Sequence, residues 1–81
     1  MPYLLKYDPA AEAVHDAMPA EASERLTLAL ADVCHDPLGA SVPYGEDDGV
    51  VRMVLTDHVL AVILLGETLK TVTVLQITYL G

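Results

Sequence analysis

The chain has 81 residues, 53% of them hydrophobic with no Phe or Trp, and a formal net charge of -8 from twelve acids against four basic residues. That length makes one domain, 1–81, which buries only about 60% of its unfolded surface and needs an efficient aliphatic core. The charge argues against a nucleic-acid partner, since affinity for phosphates comes from a basic face that releases counterions. The longest apolar run, Val59 to Leu65, falls well short of the ~20 residues of a membrane helix.

The single cysteine, Cys34, has no internal partner for a disulfide, which fits a reducing compartment. The opening "MPYLLKYDPA" lacks the charged and apolar regions of a signal peptide. Both features lead us to expect a cytoplasmic protein with no membrane contact.

"YLLKY" reads as a first strand, with Tyr3, Leu5 and Tyr7 on one side and Leu4 and Lys6 on the other. "DPAAEAVHDAM" reads as a short helix with Asp8 as N-cap, Pro9 in the first turn, and Ala10, Val14 and Ala17 on its apolar face. Pro19 stops that helix and starts a second, whose stripe of Ala22, Leu26, Ala29, Leu30 and Val33 follows helical spacing up to the Asp36–Pro37 stop. "LGASVPYGEDDG" reads as the one long loop. Three strands follow, about Val50 to Leu55, His58 to Leu65 and Thr71 to Tyr79, joined by Thr56–Asp57 and "GETLK".

The expected fold is therefore α+β in the order β-α-α-β-β-β, with two helices packed on one face of a mainly antiparallel four-stranded sheet. "VLAVILL" takes the central position, because it is apolar on both faces. Leu26, Leu30, Val33, Val62, Leu64, Val72 and Val74 are the expected core. The outer face of so apolar a sheet is an expected contact for a partner chain or for a loop.

This order and its punctuation resemble the RelE/ParE superfamily of small bacterial toxins. The residues that carry the resemblance are "DPAAEA", "MPAEASERLTLALADVCHDP" with its proline break and closing Asp-Pro, "PYGEDDGVVRMVLTDHVLAVILL", and the final "VTVLQITYL". The resemblance implies the same fold and a protein partner of the antitoxin kind. Nucleases of the family cut messenger RNA on the ribosome with several basic residues and a terminal Tyr or His. By position, Arg52 resembles the arginine on the strand after the loop, and Tyr79 lies where the terminal Tyr or His often sits. Glu46, Asp47 and Asp48 stand where basic residues usually precede that arginine, and no arginine follows Tyr79 in the sequence. These departures argue against RNA cleavage, and the fold by itself does not decide function.

Two readings follow. In the first, the chain is a RelE/ParE-like toxin-fold protein without ribonuclease activity, acting through contacts with an antitoxin-like partner or with a copy of itself. In the second, it is a ribosome-dependent messenger RNA endonuclease whose catalytic residues are Arg52, Tyr79 and His58, with Lys6 as a further candidate. In the first reading Arg52 pairs with Asp47, Asp48 or Asp57 at the sheet edge. No cofactor or metal is expected. The His15–Asp16, His35–Asp36 and Asp57–His58 pairs lack the spacing of a metal site, and Cys34–His35 lacks the second half of a zinc motif. Apolar neighbours make Cys34 a small core residue rather than a nucleophile.

Overall fold

Strand β1 spans Leu4–Tyr7 in the computed structural model, which describes residues 2–81. Tyr3, Leu5 and Tyr7 pack against the core while Leu4 and Lys6 face solvent, the alternation of a half-buried strand. Helix α1 (Pro9–Ala17) follows at once. Asp8 occupies the N-cap in an extended conformation, but its side chain makes no capping bond; Pro9, with no N–H to satisfy, opens the first turn.

The buried face of α1 is not the expected one. Ala11, His15 and Met18 point inward, and Val14 is 36% exposed. The inward stripe is rotated because His15 finds partners inside. Its Nδ1 accepts from the Tyr7 hydroxyl at 2.9 Å, and its Nε2–H points at the Ser23 carbonyl and the Thr27 hydroxyl, each at 3.2 Å. A satisfied polar group can be buried where an unsatisfied one cannot.

Helix α2 (Ala20–His35) begins after Pro19 at its N-cap and ends at Asp36, as the two prolines require. Ala22, Leu26, Leu30, Val33 and Cys34 are its buried stripe. The segment beyond it contains a strand that the sequence pattern does not reveal. Strand β2, Val42–Pro43, pairs antiparallel with Met53 and Arg52. Two residues are too few for an alternating pattern, and proline is tolerated there because β2 is an edge strand. The sheet thus has five strands rather than four.

Strands β3 (Val51–Leu55), β4 (Val59–Gly66) and β5 (Thr71–Tyr79) complete it in the spatial order β1-β5-β4-β3-β2. All neighbours are antiparallel except β1 and β5, which run parallel. Strand β4 is central, as its two apolar faces imply. Val59, Ala61, Ile63 and Leu65 join the core under the helices. The opposite parity, Leu60, Val62 and Leu64, lies on the outer face. Leu64, an expected core residue, is 36% exposed there, and Val62 is buried outside the main core. Period-two logic cannot choose a side for a strand that is apolar on both.

Strand β5 changes phase along its length. The register slips between Val62 and Ile63 of β4, which pair with Gln76 and Val74 and leave Leu75 unpaired. Val72, Val74 and Ile77 are consequently all buried, although no strict alternation joins them.

Candidate functional site

Arg52 shares the inward parity of Val54 on β3, so its stem points under the loop that follows α2. Its side chain is only 7% exposed. Nε donates to the Ser41 hydroxyl at 2.6 Å, and one terminal nitrogen donates to the carbonyls of Ser41 at 2.9 Å and Leu38 at 3.4 Å. The other reaches Asp47 Oδ1 at 3.2 Å. Ser41 is itself buried, and its hydroxyl donates to the Pro37 carbonyl while accepting from Arg52. The guanidinium therefore fastens residues 37–47 across the end of the sheet. Its fork of fixed donors suits four acceptors in different directions, which a lysine ammonium matches less well.

The acid partner is Asp47 alone among those expected for Arg52. Asp57 pairs instead with Arg25, at 3.7 Å, and Arg25 also meets Glu21 at 3.5 Å. Asp48 faces its own backbone. The amides of Val50 and Val51 donate to its Oδ1 at 2.9 and 3.2 Å and hold its carboxyl below the usual range, with a smaller contribution from the charge of Arg52. Gly45 and Gly49 bracket this acidic stretch with positive φ angles of 78° and 72°, which side-chain-bearing residues rarely adopt.

The other two candidate residues lie elsewhere. Tyr79 ends β5 opposite Val59, and the amide of Leu80 donates to the His58 carbonyl at 2.6 Å. The His58 ring donates from Nδ1 to the Gly81 carbonyl at 3.1 Å. His58 and Tyr79 thus sit on neighbouring strand ends. Arg52 pairs with Ile63, four residues up β4 from Val59, or about 13 Å along the strand. Tyr79 lies across from Val59 and shares its side of the sheet, whereas His58, one residue earlier, has the opposite parity, and Arg52 lies apart from both. Lys6 stands on the outer side of the β1 edge, and Lys70 lies over the Tyr3 ring, 5.4 Å from its centre.

Two features escaped the sequence reading. Ser41 has no signature in a loop of unknown path. The Tyr7–His15–Thr27 cluster did leave one: Ala11, His15 and Met18 repeat at helical spacing. Burial raises the Tyr7 hydroxyl above its usual value, with the charges of Asp16, Glu12 and Cys34 adding to the effect. Burial likewise pushes the Cys34 thiol up. Among the described residues no three His, Cys, Asp or Glu side chains are grouped to hold a metal ion, and no helix is long and apolar enough to cross a membrane.

No family model and no curated protein matches the chain. Solved structures do. A chain of the RelBE2 toxin–antitoxin complex of Mycobacterium tuberculosis superposes with a TM-score of 0.83 at 15% identity, over 98% of this chain and 99% of that one. The isolated Escherichia coli RelE toxin gives 0.82 at 18% identity, over 98% and 85%. The archaeal RelE–RelB complex of Pyrococcus horikoshii gives 0.77 at 15% identity, over 100% and 98%. These likenesses define a small α+β toxin-fold protein. Within that class, the chain has the fold of the RelE toxins.

Proposed function

We propose that this chain is a RelE/ParE-like toxin-fold protein of the bacterial cytoplasm that acts through protein contacts and does not cleave RNA. The observation that carries the reading is the disposition of its positive charge. Arg52 is buried in four hydrogen bonds to its own chain. Arg25 is paired on the surface, and Lys6 and Lys70 lie on strand β1 and beside β5. Both arginines are engaged with groups of their own chain, and the two lysines that remain are a small positive surface for a phosphate chain. The RelE structures from M. tuberculosis and P. horikoshii contain an antitoxin, RelB in the archaeal case, which supports an antitoxin-like protein as one class of partner. An acidic chain calls for a basic surface on such a partner.

The endonuclease alternative has one observation in its favour: His58 and Tyr79 lie on adjacent strand ends. Expression of wild type, His58→Ala and Tyr79→Phe in a bacterial host, with messenger RNA ends mapped in each, separates the readings. We expect no new cleavage from any of the three. Wild-type cleavage that either substitution abolishes in a folded protein would establish the endonuclease.

A further inference from the structure

Helix α2 keeps one leucine off its buried stripe. Leu28 is 68% exposed, although Leu26 and Leu30 beside it are fully buried. Glu24 and Asp32 lie four residues before and after it, so an acid flanks it on each side along the helix. Two hollows meet at Leu28. The first is walled by Ser23, Glu24 and Thr27. The second, of about 320 Å³, lies between Ala29 and Asp32 of α2 and Leu55 and Asp57 at the β3–β4 turn. Leu55, 55% exposed, separates the second from a third hollow beside Val42 and Met53. The row of hollows crosses from the helix layer to the β2 edge. Arg25 is the basic residue of this groove, and Glu21 and Asp57 hold it at 3.5 and 3.7 Å. Glu24 and Asp32 make no ion pair among the described residues.

We propose that this groove is the docking site of a basic peptide segment of a partner protein. The segment seats apolar side chains on either side of Leu28 and sets lysines or arginines against Glu24 and Asp32. The inference rests on the reading of the chain as a protein that works by contacts, and it assigns the surface of contact. Charge complementarity selects the occupant. Glu21, Glu24, Asp32 and Asp57 surround apolar walls, against the one arginine. A second copy of this chain brings a net charge of -8 and is repelled, as RNA is. A neutral apolar partner takes water from the acids and returns no charge to them. A basic segment neutralises them while its apolar side chains cover the two leucines. Hollows in a row suit a linear ligand, whereas a compact small molecule would occupy one of them. The first hollow takes an apolar side chain, because the Thr27 hydroxyl is already spent on the Ser23 carbonyl at 2.9 Å.

Fluorescence anisotropy on the purified full chain tests the site, with a labelled synthetic peptide of leucine and lysine at amphipathic-helix spacing as the probe. Two control peptides replace its leucines with alanine or its lysines with glutamate. We expect the probe to bind with a Kd of about 100 μM or below, and each control to bind at least about 10-fold more weakly. Raising the salt should weaken the probe, because its charge pairs are exposed to screening. Glu24→Gln combined with Asp32→Asn should raise the probe's Kd about 5-fold or more, and Leu28→Ser should do the same. All three positions are exposed, so these variants keep the fold. Glu46→Gln combined with Glu67→Gln removes the same charge at the opposite end of the sheet, where Val50 meets Leu65, and should change the Kd less than about 2-fold. Amide NMR shifts on adding the probe should centre on residues 24–32 and 55–57. No binding by wild type, equal binding of either control peptide, or equal losses from the two double variants overturns the groove as the site. Shifts centred on the outer sheet face do so as well. Each of these outcomes leaves the proposed function standing; that function falls instead to messenger RNA cleavage by the wild type.

Discussion

At the residue scale, Arg52 is a structural post. Its replacement by alanine leaves the carbonyls of Leu38 and Ser41 and the hydroxyl of Ser41 without their donor, in a region with little access to water. Arg52→Ala should cost about 3 kcal/mol, the usual size for breaking a buried charged network, and Arg52→Lys about 2 kcal/mol because the fork is lost. Asp47 is 73% exposed, so Asp47→Ala should cost less than about 1 kcal/mol. Urea denaturation of the three variants measures all of this; equal losses at 47 and 52 would mean that the ion pair, not the carbonyl network, dominates. Cys34 gives a second residue-scale prediction. Its buried thiol has a raised pKa, so little thiolate forms near neutrality. Iodoacetamide should modify the native chain much more slowly than the urea-unfolded chain, and the ratio should fall when Arg52→Ala loosens the fold.

At the element scale, two devices shape the sheet. The first is the bulge at Leu75. Deleting Leu75 should close the bulge, because Val74, Gln76 and Ile77 then alternate in, out, in without a slip. That variant should fold with a loss below about 2 kcal/mol. Deleting Thr73 instead flips Val72 or Val74 outward and should leave the chain unfolded by circular dichroism. The second device is the acidic loop, where Asp48 accepts from two amides of the β3 approach. Its carboxyl pKa is lowered in the folded chain, so its stabilisation is fully present above the ordinary Asp value of about 3.9 and is lost as pH falls through the folded value below it. Thermal unfolding followed from neutral pH into that acidic range should show Asp48→Asn losing less stability than wild type on acidification. Parallel curves would show that the amide contacts do not form in solution.

At the scale of the whole molecule, charge and apolar surface are sorted into separate regions. The acids lie on the helix layer and the loops, while the strands carry no acid and only two charges, Lys6 on the outer side and Arg52 turned inward. Such a chain should not retain RNA in a filter-binding assay at physiological salt, since it has no basic face from which to release counterions. Salt-sensitive retention would mean that a positive surface forms which the monomer lacks.

Much of the fold was written in local pattern. Pro9, Pro19 and Pro37 placed the helix ends, the stripe from Ala22 to Val33 gave the buried side of α2, and "VLAVILL" marked the central strand, because each depends on neighbours within a few residues. The tertiary structure decided what local pattern leaves open. It chose which side of β4 faces the helices, because both sides are apolar. It turned His15 inward, because Tyr7 and Thr27 arrive from other elements to satisfy it. It made Arg52 a buried brace rather than an edge ion pair, because Ser41 and the Leu38 carbonyl, eleven and fourteen residues away, come to it only when the loop closes over the sheet. Periodicity carries information over one or two turns of chain; hydrogen-bond partners brought by a folded loop lie outside its reach.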